Sequence, residues 1–207
     1  SKSYGYKSGT SMAAPNYAGS AAAVKQSIRE DYGNLSAEAM QRLVQQKLCS
    51  AATPIETDKI PLSPRSQGAG LADVAAAAKT PAVLYRDTDY KTKAELGDTL
   101  GSTTTFKFNV KNLTADALCY TLDAKVITDS CLTDENGNAV VGNSELLEGA
   151  AVTFAGGNSI RVAGSATTTV NVTLKLDTAK MNKRLKTFKN GFFVEGYVYL
   201  RSDSSPD

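Results

Sequence analysis

The strongest constraint in this chain is a change of periodicity at Thr80-Pro81. Upstream, small and apolar residues recur at the three- and four-residue spacing of helices; downstream, they alternate as in strands. The residue before a proline is pushed out of the helical region, so Thr80 is a natural stop for the first pattern. A chain with helices first and strands afterwards builds two units rather than one alternating α/β sheet. We therefore divide it into 1–80 and 81–207; 207 residues leave room for one large domain or two small ones.

Within 1–80, a first helix is expected over Ser11–Glu30. Its small face is Ala14, Ala18, Ala21 and Ala22, and its larger apolar residues are Val24 and Ile28. A second helix starts at Ser36, a good N-cap, with Leu35 and Met40 at the hydrophobic-staple positions and a stripe of Met40, Leu43, Val44 and Leu48. TPIETDKIPLSPRSQG, 53–68, holds three prolines and is expected to be an ordered coil lying on something. GLADVAAAA, 70–78, is a short last helix.

Within 81–207, alternation is clear in Phe106, Phe108, Val110 and in Val170, Val172, Leu174, Leu176. Further strands are expected at 82–86, 118–127, 151–154, 159–163 and 192–200, with turns such as DENGN at 134–138 and AGGN at 155–158. About seven short strands in this space point to an antiparallel sandwich of immunoglobulin or fibronectin type. Its core is expected to hold Phe106, Phe108, Val110, Val170, Val172 and Leu174.

Composition removes several functions. The 23 Lys and Arg against 21 Asp and Glu show no basic run and no interleaving with aromatics, and there is no Trp, so nucleic-acid binding has no footprint. No apolar stretch approaches the roughly 18 residues of a membrane span. SKSYGYKSGT lacks an apolar core and is no signal peptide; with no initiator Met, and RSDSSPD at the other end, both termini read as cut. There is no histidine, hence no His base for a Ser or Cys nucleophile and no His-containing zinc site. Cys49, Cys119 and Cys131 have no metal spacing; they read as buried free thiols, with a Cys119–Cys131 bridge between neighbouring strands as the alternative. Asp87, Asp89, Asp134, Glu135 and Asp177 lack calcium-loop spacing and read as solvated turn charges. No cofactor is expected in this chain.

The opening stretch GTSMAAPNYAGSAAAV, 9–24, is chemically the most suggestive. Proline is tolerated near a helix start but not deep inside, so Pro15 places the start near Thr10 or Ser11. The Ser11 amide then has no intrahelical partner, and the local field favours negative charge. A hydroxyl beside such an N–H suits acyl transfer, with the N–H holding the oxyanion. The plain alternative is that Ser11 is a helix cap and the alanines a packing face. Tyr4, Tyr6 and Tyr17 read as packing aromatics, with a cleft lining as the alternative.

SGTSMAAP, 8–15, resembles the nucleophile segment of the subtilisin-like serine peptidases, the subtilase family. QGAGLADVAAAA, 67–78, is similar to the segment that closes the catalytic domain in large members. FFVEGYVYLRS, 192–202, is similar to a strand of the fibronectin-III-like domain that follows it in cell-envelope proteinases of the lactocepin and C5a-peptidase type. The resemblance implies that 1–80 is the helical C-terminal part of an α/β catalytic domain and 81–207 a fibronectin-III-like sandwich. It implies Ser11 as nucleophile and its N–H as oxyanion donor, in a secreted or wall-associated bacterial serine endopeptidase acting on proteins or peptides. The Asp, His and oxyanion Asn of the family lie upstream of the serine, so this chain alone is expected to be inert without the missing N-terminal segment. Calcium belongs, if anywhere, to that missing part. The first helix, having lost its sheet, is expected to be poorly ordered, or to pack on the sandwich or on a second copy by self-association. The rival readings are a non-catalytic adhesion or spacer module and a degenerate pseudo-peptidase; the loops at 134–145 and 155–160 carry neither an aromatic cluster nor a charged patch for adhesion.

Overall fold

The architecture comes from a computed structural model that describes residues 5–202. Helix α1 spans Thr10–Tyr32 and α2 spans Ala37–Ser50. Gly33, at φ 68°, turns the chain between them, and its N–H bonds back to the Arg29 carbonyl. Ser36 caps α2 as its residue type predicts, accepting from the Ala39 N–H at 3.2 Å. The coil that follows contains a two-residue hairpin, β1 (Glu56–Thr57) and β2 (Ile60–Pro61), then a single turn α3 (Pro64–Gln67) and the helix α4 (Val74–Lys79). Both turn residues of the hairpin, Asp58 and Lys59, have positive φ, the signature of a turn that matches strand twist.

α1, α2 and α4 share one core, built from Val24, Ile28, Met40, Leu48 and Ala77 with Leu43, Val44 and Val74 packed around it. The periodic stripe of α2 is what α1 sits on. This corrects the expectation for α1: Val24 and Ile28 are fully buried, against α2 and α4 rather than against the sandwich or another copy. Only the second half of α1 is covered. From Gly5 to Gly19 every residue is exposed.

Past Pro81 the structure is two antiparallel sheets. Strands β3 (Ala82–Tyr85), β4 (Thr103–Asn112), β9 (Thr167–Leu176) and β7 (Ala150–Phe154) form one, in the order β3-β4-β9-β7. The other is organised by the long β5 (Leu118–Thr133). β10 (Glu195–Ser202) runs along one side, and β8 (Ser159–Val162) and β6 (Ala139–Leu146) share the opposite side. Phe108, Val110, Val170 and Val172 meet Tyr120, Leu122 and Val162 between the sheets. β4 pairs with β9 so that Phe106 faces Val172 and Phe108 faces Val170, which puts the alternating residues on one face. Of the expected core, Phe106 is only partly buried.

Four sequence expectations need correction. Strand β6 lies where a loop was expected, because AVVGNSEL has Gly142-Asn143 in the middle of its alternation. Helix α5 (Thr178–Thr187), capped by Asp177, fills the connection between β9 and β10; its cation-rich sequence buries no residue, and its narrow apolar face is only Met181, Leu185 and the C-cap Phe188. That same stretch is a basic run, Lys180 to Lys189, which the near-neutral overall charge hides. Finally, Cys119 and Cys131 are twelve residues apart on one strand, about 40 Å at 3.3 Å per residue. They cannot bridge. Both are exposed, Cys49 is half-buried, and all three are free thiols rather than buried ones.

Candidate functional site

α1 starts at Gly9. With φ at 149°, Gly9 holds a conformation that side chains rarely adopt, and its carbonyl accepts from Met12 N–H at 3.0 Å and Ala13 N–H at 3.2 Å. No side chain caps this helix end. Ser11 is the second helical residue and therefore caps nothing, which removes the cap reading of this serine. Among the described residues, neither its hydroxyl nor its amide has a hydrogen-bond partner. Pro15 sits in the second turn, inside the helix. Lacking an N–H, it also leaves the Ser11 carbonyl without its i+4 donor. Ser11 is thus held by a helix with its hydroxyl and its amide unengaged among the described residues.

The surroundings supply no base. The chain has no histidine, and among the described residues no carboxylate hydrogen-bonds near Ser11. Tyr6 is fully exposed and Tyr17 about half exposed, so neither is a core packing residue; partial burial, and then the Cys49 thiol, push the Tyr17 phenol up from its ordinary value. Tyr4 lies outside the described residues. Among those described, no three His, Cys, Asp or Glu side chains gather as a metal site. The turn carboxylates have local roles instead: Asp134 accepts from the Asn136 and Asn138 amides, and Asp177 caps α5.

A second constellation ties the helical part to the sandwich. The 53–68 coil lies across the outer face of β5 and β10. Arg65 donates from Nε to Glu195 Oε1 at 2.8 Å and from Nη2 to Asp129 Oδ1 at 2.5 Å, with its guanidinium 3.8 Å from the Phe193 ring centroid. Ser63 Oγ donates to the other Glu195 oxygen at 2.7 Å. Lys125 reaches Glu56 at 2.6 Å and the Lys59 carbonyl at 2.7 Å, and Tyr197 OH donates to Leu62 or Gly68 carbonyls, both at 3.1 Å. Burial, with Glu56 next, pushes the Tyr199 phenol up to about 12, and its hydroxyl has no partner. Arg65 is 64 residues from Asp129 and 130 from Glu195, so no local sequence signal marks this network.

Comparison with known proteins matches two separate segments of the chain. Residues 1–70 match the model of the subtilase family and residues 94–206 that of the Fn3-like domain. A PII-type proteinase of Lacticaseibacillus paracasei is 32% identical over 98% of this chain, and a C5a peptidase of Streptococcus pyogenes is 27% identical over 99% of it. The chain spans 11% of the length of the first and 17% of the second. A FixG-related protein from Vibrio parahaemolyticus aligns over 48% of this chain and 78% of its own at 14% identity and a TM-score of 0.26, too low to carry an argument.

Proposed function

This chain belongs to the Fn3-like domain family and carries a subtilase segment ahead of that domain, and from this premise we propose that its parent protein is an extracellular serine endopeptidase with Ser11 as nucleophile. The observation that carries the proposal is the state of Ser11. A residue in a family-matched G-T-S-M-A-A-P segment stands at a helix start with hydroxyl and amide both unengaged. In the proposed reaction, Ser11 Oγ attacks the scissile carbonyl of a protein or peptide while a base outside this chain takes its proton. The carbonyl oxygen becomes an oxyanion held by the Ser11 N–H at the positive end of α1. Collapse expels the amine and leaves an acyl-enzyme, which water then cleaves. The exposed Ala13, Ala14 and Ala18 on the first half of α1 are the surface on which the rest of the catalytic domain closes.

The sandwich, in this reading, cuts nothing. It holds the 53–68 coil and so orients the helical part. The present chain alone is inert, because it holds a nucleophile without a base. The test is labelling by a fluorophosphonate: the full parent reacts, Ser11→Ala in that parent does not, and this 207-residue chain does not. Turnover or labelling that survives Ser11→Ala would sink the assignment.

A further inference from the structure

The connection from β9 to β10 carries the chain from one sheet to the other, and α5 within it buries no residue. A helix that adds nothing to the core is explained by what it presents. Five of the chain's 23 Lys and Arg fall in 180–189, and none of its 21 acidic residues lies between Thr178 and Val194.

The five cations divide into two sets. Two are ion-paired with β6 and the turn after it. Lys180 pairs with Glu148 at 2.7 Å, and Arg184 pairs with Glu145 at 2.6 Å, donates to the Asp129 carbonyl, and lies over the Phe188 and Phe192 rings at 4.8 and 5.4 Å. The other three, Lys183, Lys186 and Lys189, are exposed and make no ion pair within 4 Å among the described residues; Lys183 also acts on Glu148 at longer range. They follow one another at three-residue intervals. Lys183 and Lys186 are therefore neighbours on the helix surface, and Lys189 continues the line just past its end.

We infer that this lysine line is a docking site for a flexible linear polyanion whose charges are phosphates. Charge complementarity selects a polyanion. The one arginine here is already engaged, so no free guanidinium fork is offered; lysine acts as a point charge, which suits the concentrated charge of a phosphate. A folded protein partner fits less well, since lysine is depleted at protein interfaces and this face offers no free aromatic or arginine anchor. A lipid surface fits less well too. Leu185 is the one large apolar side chain exposed on α5, and Phe193 beyond it is stacked under Arg65. The inference does not rest on the peptidase reading.

Binding of long-chain inorganic polyphosphate to the 207-residue chain, followed by fluorescence anisotropy, tests it. Three phosphate contacts predict a log–log salt slope of about −2, or an affinity loss of roughly fifteen- to twentyfold from about 50 to about 200 mM salt. Lys183→Gln/Lys186→Gln/Lys189→Gln is expected to abolish binding with an unchanged melting temperature. The equally neutralised control Lys25→Gln/Lys79→Gln/Lys111→Gln retains it. Equal loss in both variants would show that net charge alone was responsible and overturn the site. So would no binding at low salt, or tighter binding of polyglutamate or phosphatidylglycerol vesicles than of polyphosphate.

Discussion

The two halves of α1 share runs of small residues but have opposite surroundings. From Ala21 to Ile28 the helix is seated on α2 and α4; from Thr10 to Gly19 the same kind of small residues stands in solvent. In the sandwich the alternating residues of β4 and β9 meet Tyr120, Leu122 and Val162 of the second sheet, and exposed apolar residues gather at the far end of β5 and on β6, at Leu132, Val140, Val141 and Leu146. The difference teaches that an Ala/Gly stripe is not by itself a packing solution. It allows close approach, and the approaching surface must come from elsewhere.

Substitutions along this gradient of burial sharpen the comparison. Phe108→Ala, in the middle of the sandwich, is expected to cost about 3–5 kcal/mol in denaturant unfolding. Ile28→Ala, at the seated end of α1, should cost about 2–4 kcal/mol by the same mechanism, and a smaller value would mean that the helical core is loose. Arg65→Ala leaves Glu195 and Asp129, whose side chains are 12% and 13% exposed, without their cation; about 2 kcal/mol is expected. It should also let helical part and sandwich unfold in separate transitions, which differential scanning calorimetry would resolve. Ala14→Ser, at the projecting end, should change the stability of this chain by less than about 0.5 kcal/mol. A larger loss there would show that the first half of α1 is packed after all.

The smallest effect is a pH limb. Tyr199 holds its proton to about pH 12 in the folded state but to about 10 when unfolded. Its contribution is therefore complete below pH 10 and is lost as pH rises from 10 to about 12. Tyr199→Phe should flatten part of that decline and, because the hydroxyl is buried without a partner, should not destabilise at neutral pH. Urea midpoints measured across that window would decide it.

What was legible in the sequence was whatever rests on near neighbours. The start of α1 followed from Pro15, the Ser36 cap from residue type, and the β4 and β9 faces from alternation. Ser11 was legible because Gly9, Thr10 and Pro15 constrain it within seven positions. What was hidden depends on distance or on interrupted patterns. β6 was masked by Gly142-Asn143, and α5 by the cations that crowd its narrow apolar face of Met181, Leu185 and Phe188. The cysteines misled because β5 is longer than its alternation indicates, which places both on one strand. Arg65 carries no local mark at all, since both its carboxylate partners arrive from the far end of the chain.

The pairing of β10 with β5 has a mechanical consequence. The two strands share an antiparallel register from Glu195 opposite Ile127 to Ser202 opposite Tyr120, and Arg65 grips Glu195, where β10 begins. A pull applied between the helical part and the Ser202 end would therefore run along β10 and load its ladder bonds together, in shear, instead of peeling them apart one at a time. Along that line the Arg65 contacts with Glu195 and Asp129 and the β10–β5 ladder carry the load in series.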